Sequence, residues 1–359
     1  MLFMIPISKP MLGKEEEKLV LEVLRSGNLV QGKKVEEFED KFAEYIGVKH
    51  AIATNSGTSA LHTALLAAGI GKNDEVITTP FTFIASVNSI SYCQAKPVFA
   101  DISEEDFNID EGLIEKAITK NTRAIMPVHL YGNPCDMDTI QKIAGRHNLL
   151  IIEDACQAHG AEFKNKKAGS FGIGCFSFYP SKNMTTGEGG MITTNDEAIA
   201  EKCRLIRNHG QKIRYYHEMI GYNYRMTDLA AAIGIGQLKK LEQFNKKRIE
   251  NAAYLTKRLS KLKWLVTPKA NPNSEHVFHQ YTLRITGKKR DQVAEILSKK
   301  RIGNSVYYPV PVTLQEPYKN LKIKMPVSEK MAKEVISIPV HPALSNEELD
   351  YIAKAFEEM

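Results

Sequence analysis

A chain of 359 residues is long for one compact core and suits two unequal domains, and its 43% hydrophobic content is that of a globular protein rather than a disordered one. Forty-eight basic residues against 42 acidic ones leave a formal charge of +6, which favours anionic ligands but is too small and dispersed for a nucleic-acid binder. The five cysteines, Cys93, Cys135, Cys156, Cys175 and Cys203, are odd in number and form no C-x-x-C pair, so they read as small buried side chains in a reducing compartment. The opening segment MLFMIPISKPMLG lacks a basic leader and is broken by Pro6 and Pro10, so it is not read as a signal peptide. No apolar run approaches the ~20 residues of a membrane span, and a cytoplasmic protein is expected.

In chain order, Lys14–Ser26 carries Leu19, Val20, Val23 and Leu24 at helical spacing and stops at Gly27. After a loop over Asn28–Gly32, a second helix over Lys34–Ile46 presents Phe38, Phe42 and Ala43 and stops at Gly47. His50–Thr54 is a short strand, and Asn55-Ser56-Gly57-Thr58-Ser59 turns into a helix over Ala60–Ala68. A small-residue turn that opens a helix presents unpaired N–H groups at the positive end of the helix dipole, which is an anion site. The same residues also read as an ordinary cap by Ser56 or Thr58 with nothing bound.

Glu75–Thr79, Pro97–Asp101 and Ala124–His129 are further strands, with helices from Ile84 and over Glu111–Ile118 between them. That cadence predicts an α/β fold with a mostly parallel sheet. In the loop Pro80–Phe83 an aromatic can cover a planar ring or can simply be core. The helix Met137–His147 leads to the apolar run Leu149–Ile152, a buried strand with Glu153-Asp154-Ala155-Cys156-Gln157 at its carboxyl end. Open α/β sheets bind ligands at that end. A second run, Cys175–Tyr179, delivers Lys182 after Pro180-Ser181, with Thr186-Gly187-Glu188-Gly189-Gly190 behind it.

Acid, lysine and glycines in this order suggest pyridoxal phosphate. Its aldehyde needs an amine that is uncharged often enough to form a Schiff base, and burial readily lowers a lysine's pKa. Its ring nitrogen must keep a proton, which a buried carboxylate beside it retains. Lys182 and Asp154 would fill the two roles. Taken singly, each has a plain reading, as a solvated loop lysine and as a helix cap.

Further on, His159 and His209 have no second ligand at metal spacing and read as structural, so no metal site is expected. Arg204–Gly210 ends a helix that starts near Glu197, and Asp228–Leu238 is a small-residue helix suited to close packing. A long charged helix from Leu241 to about Leu262 exports the chain to a second domain. Strands over Val277–Ile285 and Gly303–Tyr308, a helix over Asp291–Lys299 and a last helix from Asn346 make that domain α+β. The division is residues 1–245 and 246–359.

The segments NSGTSALHTAL, TPFTFIAS, EDACQAHGA, FSFYPSKNMTTGEGGMI and GYNYRMTDLAAAIGIGQL, in that order, resemble the DegT/DnrJ/StrS family of sugar-nucleotide aminotransferases. The likeness runs from about Pro6 to the C-terminal HPALSNEEL. It implies an aspartate-aminotransferase-like (fold type I) enzyme that uses pyridoxal phosphate and moves an amino group from an amino acid, usually glutamate, to a nucleotide-linked keto-sugar. Such reactions serve amino-sugar and cell-surface polysaccharide synthesis. By the same resemblance Lys182 carries the cofactor and then acts as base and acid, Asp154 holds the ring nitrogen, and Phe83 rather than Phe81 stacks on the ring. Gln157 touches the ring face or its phenolic oxygen. Gly57, Thr58 and Ser177 hold the phosphate, joined by Asn223 of the neighbouring subunit in a homodimer with shared sites. Tyr307–Thr313 lines the sugar-nucleotide pocket, where many relatives have histidine at the position of Thr313. Relatives that dehydrate sugars replace the lysine, typically with histidine, so Lys182 speaks against that route. A regulatory module that binds sugar nucleotides without chemistry is the other alternative.

Overall fold

The computed structural model describes residues 4–359 apart from Pro272. Strands β1 (His50–Thr54), β2 (Glu75–Thr78), β3 (Lys96–Phe99), β4 (Thr122–Ile125), β5 (Leu150–Asp154), β6 (Ile173–Ser177) and β7 (Gly190–Thr194) form one sheet in the order β1-β7-β6-β5-β4-β2-β3. The neighbours from β6 to β3 are parallel, while β7 runs antiparallel to both β6 and β1. Helices make most connections between successive strands, α3 (Gly57–Ala67) from β1 to β2, α4 (Ala85–Tyr92) from β2 to β3, α5 (Glu111–Ala117) from β3 to β4 and α6 (Met137–His147) from β4 to β5. The antiparallel step from β6 to β7 needs no crossover. Its connection is the short segment that carries Lys182.

With helices over both faces, β2 and β7 are buried along their whole length, as strands covered on both sides are. Around them lie α1 (Lys14–Ser26), α2 (Lys33–Ile46), α7 (Glu197–Arg207) and α8 (Asp228–Leu238). The α3 helix starts at Gly57, three residues before the expected start. Ser56 caps it, accepting from Ser59 N–H at 3.1 Å, while Ser59 Oγ takes the Ser56 amide at 3.0 Å.

Two short strands after α7, β8 (Gln211–Ile213) and β9 (Tyr216–His217), make a hairpin that the sequence did not signal. The long helix α9 is Leu241–Leu259 and leads to a small antiparallel sheet of β10 (Leu265–Val266), β11 (Tyr281–Ile285) and β12 (Val335–Ile338), with helices α10 (Arg290–Lys299), α11 (Pro326–Glu334) and α12 (Asn346–Glu357). Leu255, Tyr281, Leu297, Ile336 and Phe356 build its core, and Ile5 from the start of the chain joins them.

Two expected strands here are corrected. Gly303–Tyr308 is not a strand, since the Gly303 amide goes to Ile5 O at 2.8 Å and the segment makes a single bridge at Ser305 to Ser337. Val277–Ile285 shrinks to β11, because the amides of Val277 and Gln280 bond Gly132 O and Tyr131 O. The true third strand of this sheet is β12.

Candidate active site

The two acids at the end of β5 do different work, because successive strand residues face opposite sides of the sheet. Glu153 is fully buried. Its Oε1 accepts the amides of Phe171 (2.8 Å) and Gly172 (2.9 Å), and its Oε2 accepts the Gly169 amide (2.7 Å) and His129 Nε2 (3.1 Å). Since His129 Nδ1 accepts from the Cys135 amide at 3.1 Å, the ring proton sits on Nε2 and is given to Glu153. Glu153 is thus committed to folding the 169–172 turn. Asp154 has room left: Oδ1 accepts the Cys156 amide at 3.2 Å and Oδ2 accepts the Ser86 hydroxyl at 2.6 Å.

Lys182 lies on the β6–β7 connection. Its backbone amide bonds Tyr179 O at 2.9 Å, and the next side chain, Asn183, donates to Asn245 Oδ1 at 2.8 Å and to Val277 O at 3.1 Å. Asn245 in turn donates to His159 O at 2.8 Å, so α9 anchors the root of the lysine. The amine itself has no hydrogen-bond or ion-pair partner among the described residues. Desolvation holds its pKa below the ordinary lysine value, opposed by the nearby Cys156 and Asp154. The structure therefore brings Lys182 and Asp154 into one electrostatic neighbourhood.

At the amino end of α3, the cap uses Ser59 N–H and leaves the amides of Gly57 and Thr58 without an acceptor among the described residues. The cap reading and the anion reading are thus compatible. A Cβ at Gly57 would lie 2.6 Å from Ser177 Cβ and 3.1 Å from both Ser177 Oγ and Cys156 Sγ, so only glycine lets the helix end close on β6. Gly190 serves the same approach, since a Cβ there would lie 2.2 Å from Ser56 O. Gly57, Thr58 and Ser177 form a cradle of donors beside the acid and the lysine.

The other residues named from the sequence divide. Phe81 is fully buried in core, whereas Phe83 is 56% exposed, with its ring 6.3 Å from that of Tyr308. Gln157 is buried and its amide is half engaged: Oε1 accepts the Tyr131 amide at 2.8 Å and Nε2 donates to Tyr308 Oη at 3.2 Å, which leaves one N–H and one lone pair. Burial, then the charge of Asp154, pushes the Tyr308 phenol up, so it stays protonated. Asn223 is exposed, and only its backbone is engaged here, accepting from Asn55 Nδ2 at 3.3 Å. The Thr313 hydroxyl is buried without a partner. His159 lies between Phe176 and Phe178, its pKa driven to about 3, first by burial; His209 is exposed. Ser86, Asn183 and Asn245 were missed, and a single sequence holds no signal for them.

A lysine of lowered pKa without a partner among the described residues, a carboxylate held at both oxygens in the same neighbourhood and an adjoining cradle of donors fit pyridoxal phosphate, and the sheet that carries them is that of an aspartate-aminotransferase-like (fold type I) enzyme. The family model of the DegT/DnrJ/EryC1/StrS aminotransferases matches residues 10–357, and the chain belongs to that family. It is 42% identical to a GDP-perosamine synthase of Caulobacter vibrioides, over 99% of this chain and 98% of that protein. It is 44% identical to a "Pleiotropic regulatory protein" of Geobacillus stearothermophilus, over 94% of this chain and 92% of that one. The X-ray structure of S. venezuelae DesV in complex with a ketimine intermediate superposes with a TM-score of 0.93 at 38% identity, covering 96% of this chain and 94% of that one. The protein is an aminotransferase that works with pyridoxal phosphate.

Proposed function

We propose that the chain transfers an amino group from glutamate to the ketone of a nucleotide-linked sugar, with the eight residues named from the sequence in the roles given there. The observation that carries this reading is the pairing of a fixed carboxylate, Asp154, with a partnerless amine of lowered pKa, Lys182. When bound, pyridoxal phosphate supplies the electron sink that makes a carbon next to nitrogen acidic. The protein binds, orients and moves protons. The amides of Gly57 and Thr58 and the hydroxyl of Ser177 grip the phosphate, and Asp154 keeps the proton on the ring nitrogen. Phe83 covers one face of the ring. Gln157 meets the ring face or the phenolic oxygen, its amide still having one N–H to give. Lys182, whose pKa burial lowers, takes a proton from the donor's α-carbon and returns one to the cofactor side, then does the reverse for the sugar.

The site is completed by a second copy of the chain. Asn223 offers its side chain outward, beside a hairpin whose Ile213, Tyr215 and Tyr216, with Ile220, are exposed far beyond what a free surface usually tolerates. Mixing inactive Lys182→Ala and Asn223→Ala subunits should regain up to about a quarter of wild-type activity, since one site in each mixed C2 dimer is intact. No recovery would remove the shared site. Five free thiols suit the cytoplasm. The regulatory name of one relative favours a second reading, a sugar-nucleotide sensor, but a sensor has no use for a desolvated amine without a partner among the described residues. The deciding experiment offers glutamate and a panel of GDP-, UDP- and dTDP-linked keto-sugars and locates the new amine by NMR. Binding without amine transfer across the panel would favour the sensor.

A further inference from the structure

Ser86 and Thr82 carry a short chain of hydrogen bonds that ends on the acid of the site. Both are buried, at 1% and 3% exposure. Ser86 Oγ has three oxygens in reach: Asp154 Oδ2 at 2.6 Å, Thr82 Oγ1 at 2.8 Å and Phe83 O at 3.1 Å. A hydroxyl has one proton to give. The nearest and only charged acceptor takes it, because a bond to an ionised oxygen is roughly twice as strong as one between neutral groups. Phe83 O is in any case served by the Ser86 amide at 3.1 Å. Ser86 then receives from Thr82, and the direction is Thr82 to Ser86 to Asp154.

A plain reading would make Ser86 a helix-capping serine. The cap of α4 is Ile84, without a side-chain bond, and Ser86 already lies inside the helix. Its hydroxyl therefore serves Asp154 rather than the helix. The bond spans 68 positions and ties the strand that bears the acid to the segment Thr82–Ser86, in which Phe83 sits.

We propose that Ser86, oriented by Thr82, is a positioning residue for transamination: it fixes the plane of the Asp154 carboxylate and holds it facing the cofactor's ring nitrogen. The proposal rests on the reading that Asp154 faces that nitrogen. A carboxylate that already accepts the Ser86 proton competes less for the proton on the ring nitrogen, so losing that bond moves the shared proton from the nitrogen toward Asp154.

The test loads the protein with ring-15N pyridoxal phosphate and follows the nitrogen's chemical shift with pH, beside kcat and KM. Ser86→Ala should move the shift toward the unprotonated value and lower kcat about tenfold, with the KM for glutamate within about twofold. Ser86→Thr should restore both, and Thr82→Val should move the shift less, in the same direction. If Asp154→Asn moves the shift but Ser86→Ala leaves it at the wild-type value, the proposal is overturned and the reading of Asp154 stands. If Asp154→Asn itself leaves the shift unmoved, that reading fails, and the proposal with it. Should Ser86→Ala not fold, Thr82→Val decides alone: a shift in the stated direction supports the proposal and an unchanged shift overturns it.

Discussion

At the end of β5, Asp154 is held at both carboxylate oxygens and Glu153 beside it by three amides and an imidazole, whereas Lys182, on the β6–β7 connection, is held at its root and free at its tip. The difference follows from what each group must do. An acid that keeps one proton on one nitrogen gains from being immobile, and preorganised donors keep it so without reorganisation during the reaction. An amine that must let go of a ligand, carry a proton and return needs a fixed anchor and an unpaired nitrogen. Asn183 and Asn245 supply the anchor.

The sharpest way to break this comparison is at the free tip. Lys182→Ala should lower multiple-turnover activity by at least about 10³-fold, because the proton carrier is gone. The cofactor should still stay bound through Gly57, Thr58 and Ser177, which absorbance after gel filtration would show. Ordinary turnover in this variant would make the assignment of roles wrong. At the fixed end, Asp154→Asn should lose roughly 10²-fold in kcat with a modest loss of occupancy, since a stabilising charge is removed while the shape stays.

Loosening the anchor should matter less and in a different way. Asn245→Ala removes the acceptor of Asn183 and the donor to His159 O, and should cost about 1–3 kcal/mol of stability in urea unfolding. It should also lower kcat a few-fold without changing the cofactor's affinity. An unchanged unfolding midpoint would mean that the lysine is anchored by something else.

The smallest effect is a pH dependence in the cofactor-free protein. The folded pKa of Lys182 lies below its unfolded value of about 10.4. The unfolded chain therefore binds more protons between the two values, and stability rises with pH across that window. Lys182→Met should be more stable than wild type at neutral pH, with the gap closing as pH climbs through the lowered pKa toward the unfolded one. A constant gap would show that the lysine is not desolvated.

How much of this was legible before any coordinates depended on the kind of signal. Buried strands write themselves as short runs of apolar and small residues, so His50–Thr54 and the run into Asp154 could be read directly. The lysine and the acid stood out because their chemistry needs both, in that order, at strand ends. Val335–Ile338 was missed because it follows α11 without a turn residue and reads as more helix. Gly303–Tyr308 was overread because Val306, Tyr307 and Tyr308 are residue types that favour a strand, while the Gly303 amide in fact goes to Ile5 O. Gln157 was located, but that its amide bonds Tyr131 and Tyr308 depends on a partner 151 positions away. Ser86 shows the limit most clearly: nothing in a serine four residues after a threonine says that its proton goes to an aspartate in another strand.

The central claim is that Lys182 and Asp154 hold opposite ends of one pyridoxal phosphate. A crystal structure of the cofactor-loaded protein tests it most directly. The account predicts the cofactor's aldehyde carbon joined to Lys182 Nζ, with the ring nitrogen within hydrogen-bond reach of the Asp154 carboxylate. A ring joined to another lysine, or turned so that its nitrogen faces away from Asp154, would contradict it.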